Sequence, residues 1–248
     1  MSLENEQLAP TVAIHQPEFL PWLGFIDKIR QVDTFVLLDS VQFEKNYYQN
    51  RNKIRTAWGW AWLTLPVFTK GLFGQAINQV KIQNEQNWTR KHILGLEQNY
   101  QAAPYFGHYF NELKSIYSQP RTLLVDFNFD LIRWMAKAFG LTPRFVRSSE
   151  LGVTGKKSEL LLNICESLGT KIYLSGVSGR DYLDESLFEK AGIAVRYQDF
   201  HHPSYPQRYE PFLPGMSAVD LLFNEGPSSL QRIIEANQSS SILKTHEK

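Results

Sequence analysis

Four clusters of polar residues sit where chemistry could be done. The first is His15 and Gln16, followed by Pro17, Glu18 and Pro21, between the apolar stretch Thr11–Ile14 and the apolar-periodic stretch that begins at Trp22. A strand-to-helix turn of this kind collects backbone N–H groups, so an imidazole and an amide there suit a phosphate or a carboxylate. The second follows the apolar stretch Thr34–Leu38 and holds Asp39, Gln42, Lys45, Asn50, Arg51 and Asn52. The fork of Arg51 and the point charge of Lys45 suit oxyanions, and Asp39 is an acid–base candidate. The third is Ser175–Tyr182, where Gly176 and Gly179 expose main-chain N–H groups as an anion nest and Arg180 adds charge. The fourth is Asp199–Gln207, in which His202 is an acid–base candidate and Tyr205 and Gln207 are candidate substrate contacts; Asp220 and Asn224 follow one helical turn apart. Each cluster has a plainer alternative: a solvated loop, a helix cap or an ordinary Gly-x-x-Gly turn.

No metal is expected. There is one cysteine, Cys165, and the adjacent pair His201-His202 cannot easily converge on one ion. Gly155-Lys156-Lys157-Ser158 fails the spacing of a phosphate-binding P-loop, because position 150 is Glu and the residue after Lys156 is Lys157.

The elements that must hold these clusters alternate. A strand at Thr11–Ile14 precedes a helix whose apolar face is Trp22, Phe25, Ile26 and Ile29, and a second strand follows. A hairpin is expected from Ala61–Val67 and Ala76–Ile82, then helices at Trp88–Tyr100, Tyr105–Tyr117 and Leu124–Phe139. The last of these carries an apolar seam of Leu124, Phe127, Leu131, Trp134, Met135 and Ala138. Alternation resumes with strand Arg144–Arg147, helix Ser158–Leu168, strand Lys171–Ser175, helix Asp184–Ala191 and strand Ala194–Asp199, and two short helices close the chain at Ser217–Asn224 and Ser228–Ala236. The fold class that follows is α/β, a parallel Rossmann-like sheet with flanking helices and a helical insertion. Residues 11–236 read as one domain with a mainly helical subdomain at about 84–140, and residues 1–10 and 237–248 read as flexible tails.

Composition narrows the rest. With 248 residues, 43% hydrophobic and 13% aromatic, a substantial core is available. A net charge of +1 argues against a nucleic-acid partner. No apolar run is long enough to span a bilayer and no signal peptide is visible, so a cytoplasmic location without membrane insertion is expected, in keeping with the single cysteine. Cys165 shares an apolar face with Leu161 and Leu168 and reads as core. Tyr47, Tyr48, Trp58, Trp60 and Trp62 are candidates for stacking on sugar or base faces; for Trp60 and Trp62 a core role is the alternative.

Ile14-His15-Gln16-Pro17, Leu20-Pro21-Trp22-Leu23-Gly24-Phe25, Asp27-Lys28, Gln42-Phe43 and Gln49-Asn50-Arg51-Asn52 together resemble the WbqC-like family. So do Tyr173-Leu174-Ser175-Gly176, Gly179-Arg180-Asp181-Tyr182-Leu183, His202-Pro203-Ser204-Tyr205-Pro206-Gln207 and Ser217–Asn224. The resemblance implies a role in bacterial surface-polysaccharide (O-antigen) biosynthesis and supplies no catalytic residues. The order of strand, His-containing turn, helix and strand also resembles the HIGH-motif nucleotidyltransferases, including pantothenate synthetases. Here Pro17-Glu18 stand where that family has Gly-His.

Two functions follow. One is a transferase or nucleotidyltransferase-like enzyme that activates a carboxylate with a nucleotide, or passes an acyl or aminoacyl group to an amino sugar. ATP or a sugar nucleotide would be its substrate, His15, Asp39 and His202 would carry the chemistry, and no firm cofactor is implied. The other is a non-catalytic module that binds a sugar nucleotide or a partner. Either would take a phosphorylated small molecule, and either is compatible with a homo-oligomer. A glycosyltransferase ranks below both, since no Asp-x-Asp motif is present.

Overall fold

The structure, a computed structural model, describes residues 9–243. In chain order its elements are β1 (Thr11–His15), α1 (Leu23–Arg30), β2 (Thr34–Leu37), β3 (Arg51–Thr56) and β4 (Gly59–Thr64). Helices α2 (Trp88–Tyr100), α3 (Phe106–Tyr117) and α4 (Leu124–Ala138) follow. Then come β5 (Arg144–Arg147), α5 (Lys157–Ser167), β6 (Ile172–Ser175), α6 (Glu185–Lys190) and β7 (Ala194–Tyr197), and finally α7 (Val219–Glu225) and α8 (Ser229–Leu243). They form two compact units. The first comprises residues up to His15, Lys28–Leu38 and Pro143–Asp199; the second comprises Gln16–Asp27, Asp39–Thr142 and the chain from Phe200 onward.

The first unit is the α/β part. Its five strands lie in the order β5-β2-β1-β6-β7, and every neighbouring pair is parallel. Val12, Ala13 and Ile14 are buried in succession, as a strand covered on both faces requires. Asp33 sets the start of three strands at once: its carboxylate accepts from Thr11 N at 2.9 Å, its N–H donates to Thr11 O, and its carbonyl accepts from Arg144 N. Helix α5 buries Leu160, Leu161, Ile164 and Cys165. Burial pushes the Cys165 thiol up to about 12, so it stays protonated and serves as packing. On β6, Tyr173 stacks against Phe188 of α6 with centroids 5.3 Å apart.

The second unit holds the antiparallel pair β3/β4 and the helices α2, α3, α4, α7 and α8. The hairpin differs from the expected one: its strands are Arg51–Thr56 and Gly59–Thr64, in register from Arg51↔Thr64 to Thr56↔Gly59. Residues 76–82 instead form a short 3₁₀ turn at Ile77–Gln79, with isolated bridges Gln42↔Ala76 and Val67↔Ile82. The polar sequence of β3 hid it. Asn52 and Arg55 are buried on that strand because each finds internal partners. Gly59, at φ +129°, closes the turn where a residue with a Cβ would be strained.

The α4 seam is buried as its spacing predicts, with Leu124, Phe127, Leu131, Trp134 and Met135 inward. Phe127 meets Trp88 at 5.2 Å and Tyr117 at 5.2 Å, and Phe19 meets His92 at 5.5 Å, an aromatic core for α2, α3 and α4. Helix α8 continues to Leu243, beyond Ala236 where the sequence predicts a tail. The cause is local: Asn237 accepts from His201 N at 2.8 Å and donates to Ile233 O at 2.7 Å. Residues 1–8 and 244–248, also expected as tails, lie outside the described residues.

Candidate functional site

Counted among the five parallel strands alone, β1, β2, β5, β6 and β7 are first to fifth, and their spatial order is third, second, first, fourth, fifth. This is the doubly wound order, whose chain reversal between the first and fourth strands opens a crevice at their carboxyl ends. Here those strands are β1 and β6. His15 closes β1 and is paired with Leu37 of β2, and its carbonyl accepts from Leu38 N at 2.8 Å. The β1/β6 register runs from Thr11↔Ile172 to Ala13↔Leu174. It stops there, two residues short of His15 and Gly176.

The loop after β6 is closely packed. A Cβ on Gly179 would lie 2.1 Å from Ser175 Oγ, so only glycine fits against that hydroxyl without displacing it. Ser175 is 1% exposed and its Oγ has no hydrogen-bond partner. A Cβ on Gly176 would lie 3.1 Å from Lys28 Nζ, which places the ammonium over the Gly176 backbone. Lys28 itself is 3% exposed, on the last turn of α1. His15, Lys28, Ser175, Gly176 and Gly179 thus share the first unit, with a buried cation, a buried hydroxyl and main-chain N–H groups near one another. Arg180 points elsewhere: its guanidinium stacks 4.2 Å over the Tyr197 ring, and the Tyr197 hydroxyl donates to Glu185 at 2.6 Å.

The remaining expected residues belong to the second unit, where many are tied into one polar lattice. Gln49 Nε2 donates to Gln16 Oε1 at 2.6 Å, and Gln49 Oε1 accepts from Glu44 N. Phe19 N donates to Tyr48 O at 3.0 Å. Asn52 Nδ2 donates to Leu20 O at 2.7 Å and Phe19 O at 3.3 Å, which holds Leu20 in its left-handed conformation, φ +42°. Asn50 Nδ2 donates to Leu65 O at 2.9 Å, and Asn128 of α4 donates to Gln49 O at 2.8 Å. The Gln16–Leu20 turn and the Gln49–Asn52 segment therefore brace each other. Arg51 donates to Asn46 O and stacks 4.2 Å over Trp62. Asp39 is fully buried, with its carbonyl accepting from Asn78 N, while Lys45 is exposed.

His202, Tyr205 and Gln207 are equally engaged. His202 Nδ1 lies 2.8 Å from Pro203 O, and its Nε2 accepts from Gly215 N at 3.1 Å, so the neutral Nδ1–H tautomer fits. Burial lowers its pKa further. Tyr205 and Gln207 donate to Asp220 Oδ2 at 2.8 and 2.7 Å, and Tyr100 donates to Asp220 Oδ1 at 2.8 Å. Burial pushes the Asp220 carboxyl up, and the three donors hold it back. Asn224 bonds the Asp220 carbonyl rather than sharing a crevice with its carboxylate. Arg55 completes this frame by donating to Gly59 O, Tyr209 O and Pro211 O. Among the described residues, no three His, Cys, Asp or Glu side chains gather as they would around a metal ion, and no helix is long and apolar enough to cross a membrane.

Lys28 and Ser175 stand inside the motifs read from the sequence, which gives neither of them a role of its own. The available signal for Lys28 was its spacing, three residues after Phe25 on an apolar helix face, where a lysine is out of place unless it has work inside.

Comparison with known proteins agrees with the motifs. A profile of the WbqC-like protein family matches residues 16–232. An uncharacterized protein of Mycobacterium tuberculosis is 36% identical over 217 residues, which is 87% of this chain and 94% of that protein. No solved structure matches the chain.

Proposed function

The chain belongs to the WbqC-like protein family, and we propose that its parallel-sheet unit binds the phosphate of a nucleotide or sugar nucleotide at the β1/β6 switch point. The observation that carries this is the strand order together with Lys28 beside the Gly176 backbone. A crevice at the carboxyl ends of reversed strands is where α/β sheets take an anion, and Lys28 adds positive charge beside the loop that follows β6. Lys28 supplies charge and His15 an imidazole at the end of β1; the Gly179 N–H is already given to Gly176 O at 2.9 Å, so the N–H donors are those at the start of the loop after β6.

The reaction class in keeping with this is carboxylate activation in surface-polysaccharide synthesis. A substrate carboxylate oxygen attacks the α-phosphorus of ATP and displaces pyrophosphate to give an acyl-adenylate; an amino-sugar nitrogen then attacks the acyl carbon, breaks its bond to the AMP oxygen so that AMP leaves, and gives up a proton. Lys28 and His15 would hold the charge that builds on the phosphate oxygens. His202 is committed to internal bonds with Pro203 O and Gly215 N, and His15 is the acid–base group of the proposal.

The test is a calorimetric and thermal-shift series with ATP, UDP-glucose and dTDP-glucose. A ligand at 100 times its Kd stabilises by about 2.7 kcal/mol, which moves Tm by roughly 5–10 °C. Gly176→Ala displaces only the flexible end of Lys28, so it should weaken binding by about tenfold or more while apo Tm stays within a few degrees. His15→Ala should lower turnover more than affinity. Binding that survives Gly176→Ala unchanged would remove the switch point as the site. Binding lost in Gly176→Ala without turnover in the wild type would leave a binding module.

A further inference from the structure

One face of the β3/β4 hairpin carries a feature that the nucleotide reading does not use and that does not depend on it. Tyr47 meets Tyr48 at 5.4 Å, Tyr48 meets Trp62 at 6.0 Å, and Trp62 meets Trp60 at 5.6 Å, a continuous row of rings. Its two ends are open to solvent, Tyr47 at 50% and Trp60 at 47% exposure. Two cations from β3 are laid across it. Arg51 sits 4.2 Å over Trp62, and Lys53 Nζ sits 4.5 Å over Trp60 and 5.4 Å from Trp62. The register explains the interleaving: Lys53 faces Trp62 and Arg55 faces Trp60, so alternate residues of both strands meet on one side.

Large rings left in water in a contiguous row mark interaction surfaces. Cations resting on ring faces are fixed in place at little entropic cost, with N–H groups left for an incoming anion. The Arg51 fork donates to Asn46 O, and its Nε is buried against the row.

We propose that this row binds an acidic oligosaccharide, with pyranose rings lying on Trp60 and Tyr47 and a sugar carboxylate or phosphate taken by Lys53 and Arg51. Arg51 and Lys53 call for a negative group at the Trp62–Trp60 end of the row, while Glu18 and Glu44 act on Tyr47 at the other end, which takes an uncharged sugar face. The ring planes meet at 79°, 59° and 78°, so they offer no parallel series of faces for successive bases of a single-stranded nucleic acid. A chain of net charge +1 also lacks the field that tracks a phosphate backbone. A sugar chain fits instead, because each residue needs only one ring face and presents its hydroxyls to water.

The experiment titrates tryptophan fluorescence with three acidic probes: oligogalacturonate, hyaluronan hexasaccharide and a sialic-acid oligomer. Dextran oligomer and d(T)15 serve as the neutral and nucleic-acid comparisons. At least one acidic sugar should bind ten or more times tighter than dextran at low salt, and the preference should shrink as salt rises. Trp60→Ala should weaken that binding about tenfold. Lys53→Gln should abolish the preference for the acidic over the neutral sugar. Trp60 is half exposed and Lys53 lies on the surface face, so both variants should fold, as far-UV circular dichroism would check; Leu94→Ala on exposed α2 is the neutral control. Failure of all three acidic sugars to bind overturns the proposal. So does tighter binding of d(T)15, or an acidic preference that survives Lys53→Gln.

Discussion

At Asp220 a fully buried carboxylate accepts from two phenols and an amide, and the Gln207 amide gives its other N–H to Leu213 O. Tyr100 extends the chain of bonds, since its oxygen also accepts from Arg55 N at 2.8 Å. Removing the acceptor strands all three donors in the core. Asp220→Ala should therefore cost about 3–5 kcal/mol, the range for breaking a buried charged network. Asp220→Asn keeps the volume but turns one acceptor into a donor facing a donor, so it should recover only part of the loss. Urea unfolding of the two variants checks this; a cost below about 1 kcal/mol for Asp220→Ala would mean that water reaches the site. The same residue explains why Tyr205 and Gln207 are needed in a motif that reads from sequence as a ligand contact.

The Leu20–Phe25 segment shows what an element asks of its residues. A Cβ on Gly24 would lie 2.4 Å from the Trp22 indole; that indole makes an edge contact to Phe200 at 5.2 Å, and the Trp22 backbone is bridged to Ser217. Helix propensity alone favours Gly24→Ala by about 1 kcal/mol. Overpacking against a fixed ring costs about 1–3 kcal/mol and should win. The expected outcome is a lower Tm for Gly24→Ala, partly restored when Trp22→Ala is added. A Tm that rises would show that the indole moves freely. The spacing Trp22-x-Gly24 is thus a packing rule of α1, separate from the ligand chemistry proposed for Lys28 four residues on.

For the whole molecule, pH is the sharpest probe. His92 is buried among Phe19, Trp88 and Tyr117, with Nε2 3.1 Å from Thr64 O. Burial lowers its pKa to about 4. A histidine held neutral in the folded state and free to protonate in the unfolded one adds stability above its ordinary pKa of about 6.5. That stability is lost as pH falls through the interval down to 4, about 3 kcal/mol in all. His202, lowered by burial, acts with the same sign. Asp220, raised by burial, acts with the opposite sign, because its protonation at the acid end favours the folded state. Tm should therefore drop between pH 7 and pH 5, and the drop should shrink in His92→Leu even if that variant starts lower. An unchanged slope in His92→Leu would assign the acid sensitivity elsewhere.

The alternation of apolar strands and amphipathic helices was enough to place the parallel sheet, because strands buried on both faces and helices with a 3.6 period must write themselves as such. The α4 seam and the core role of Cys165 were legible for the same reason. The motifs that identify the WbqC-like family were also visible as text. What they do locally was not, because polar side chains look alike until their partners are known. Asn52 reads as a phosphate donor and spends its amide on Phe19 O and Leu20 O; Gln207 reads as a substrate contact and spends its own on Leu213 O and Asp220. The strand β3 was hidden because three of its six residues are cations, and only packing decides that Arg55 is internal while Arg51 and Lys53 lie on rings. Lys28 came to the Gly176 backbone by the crossover that returns α1 to the sheet. Hydrophobic periodicity is a property of the chain taken alone, whereas hydrogen-bond pairing between distant residues exists only once the chain has closed on itself.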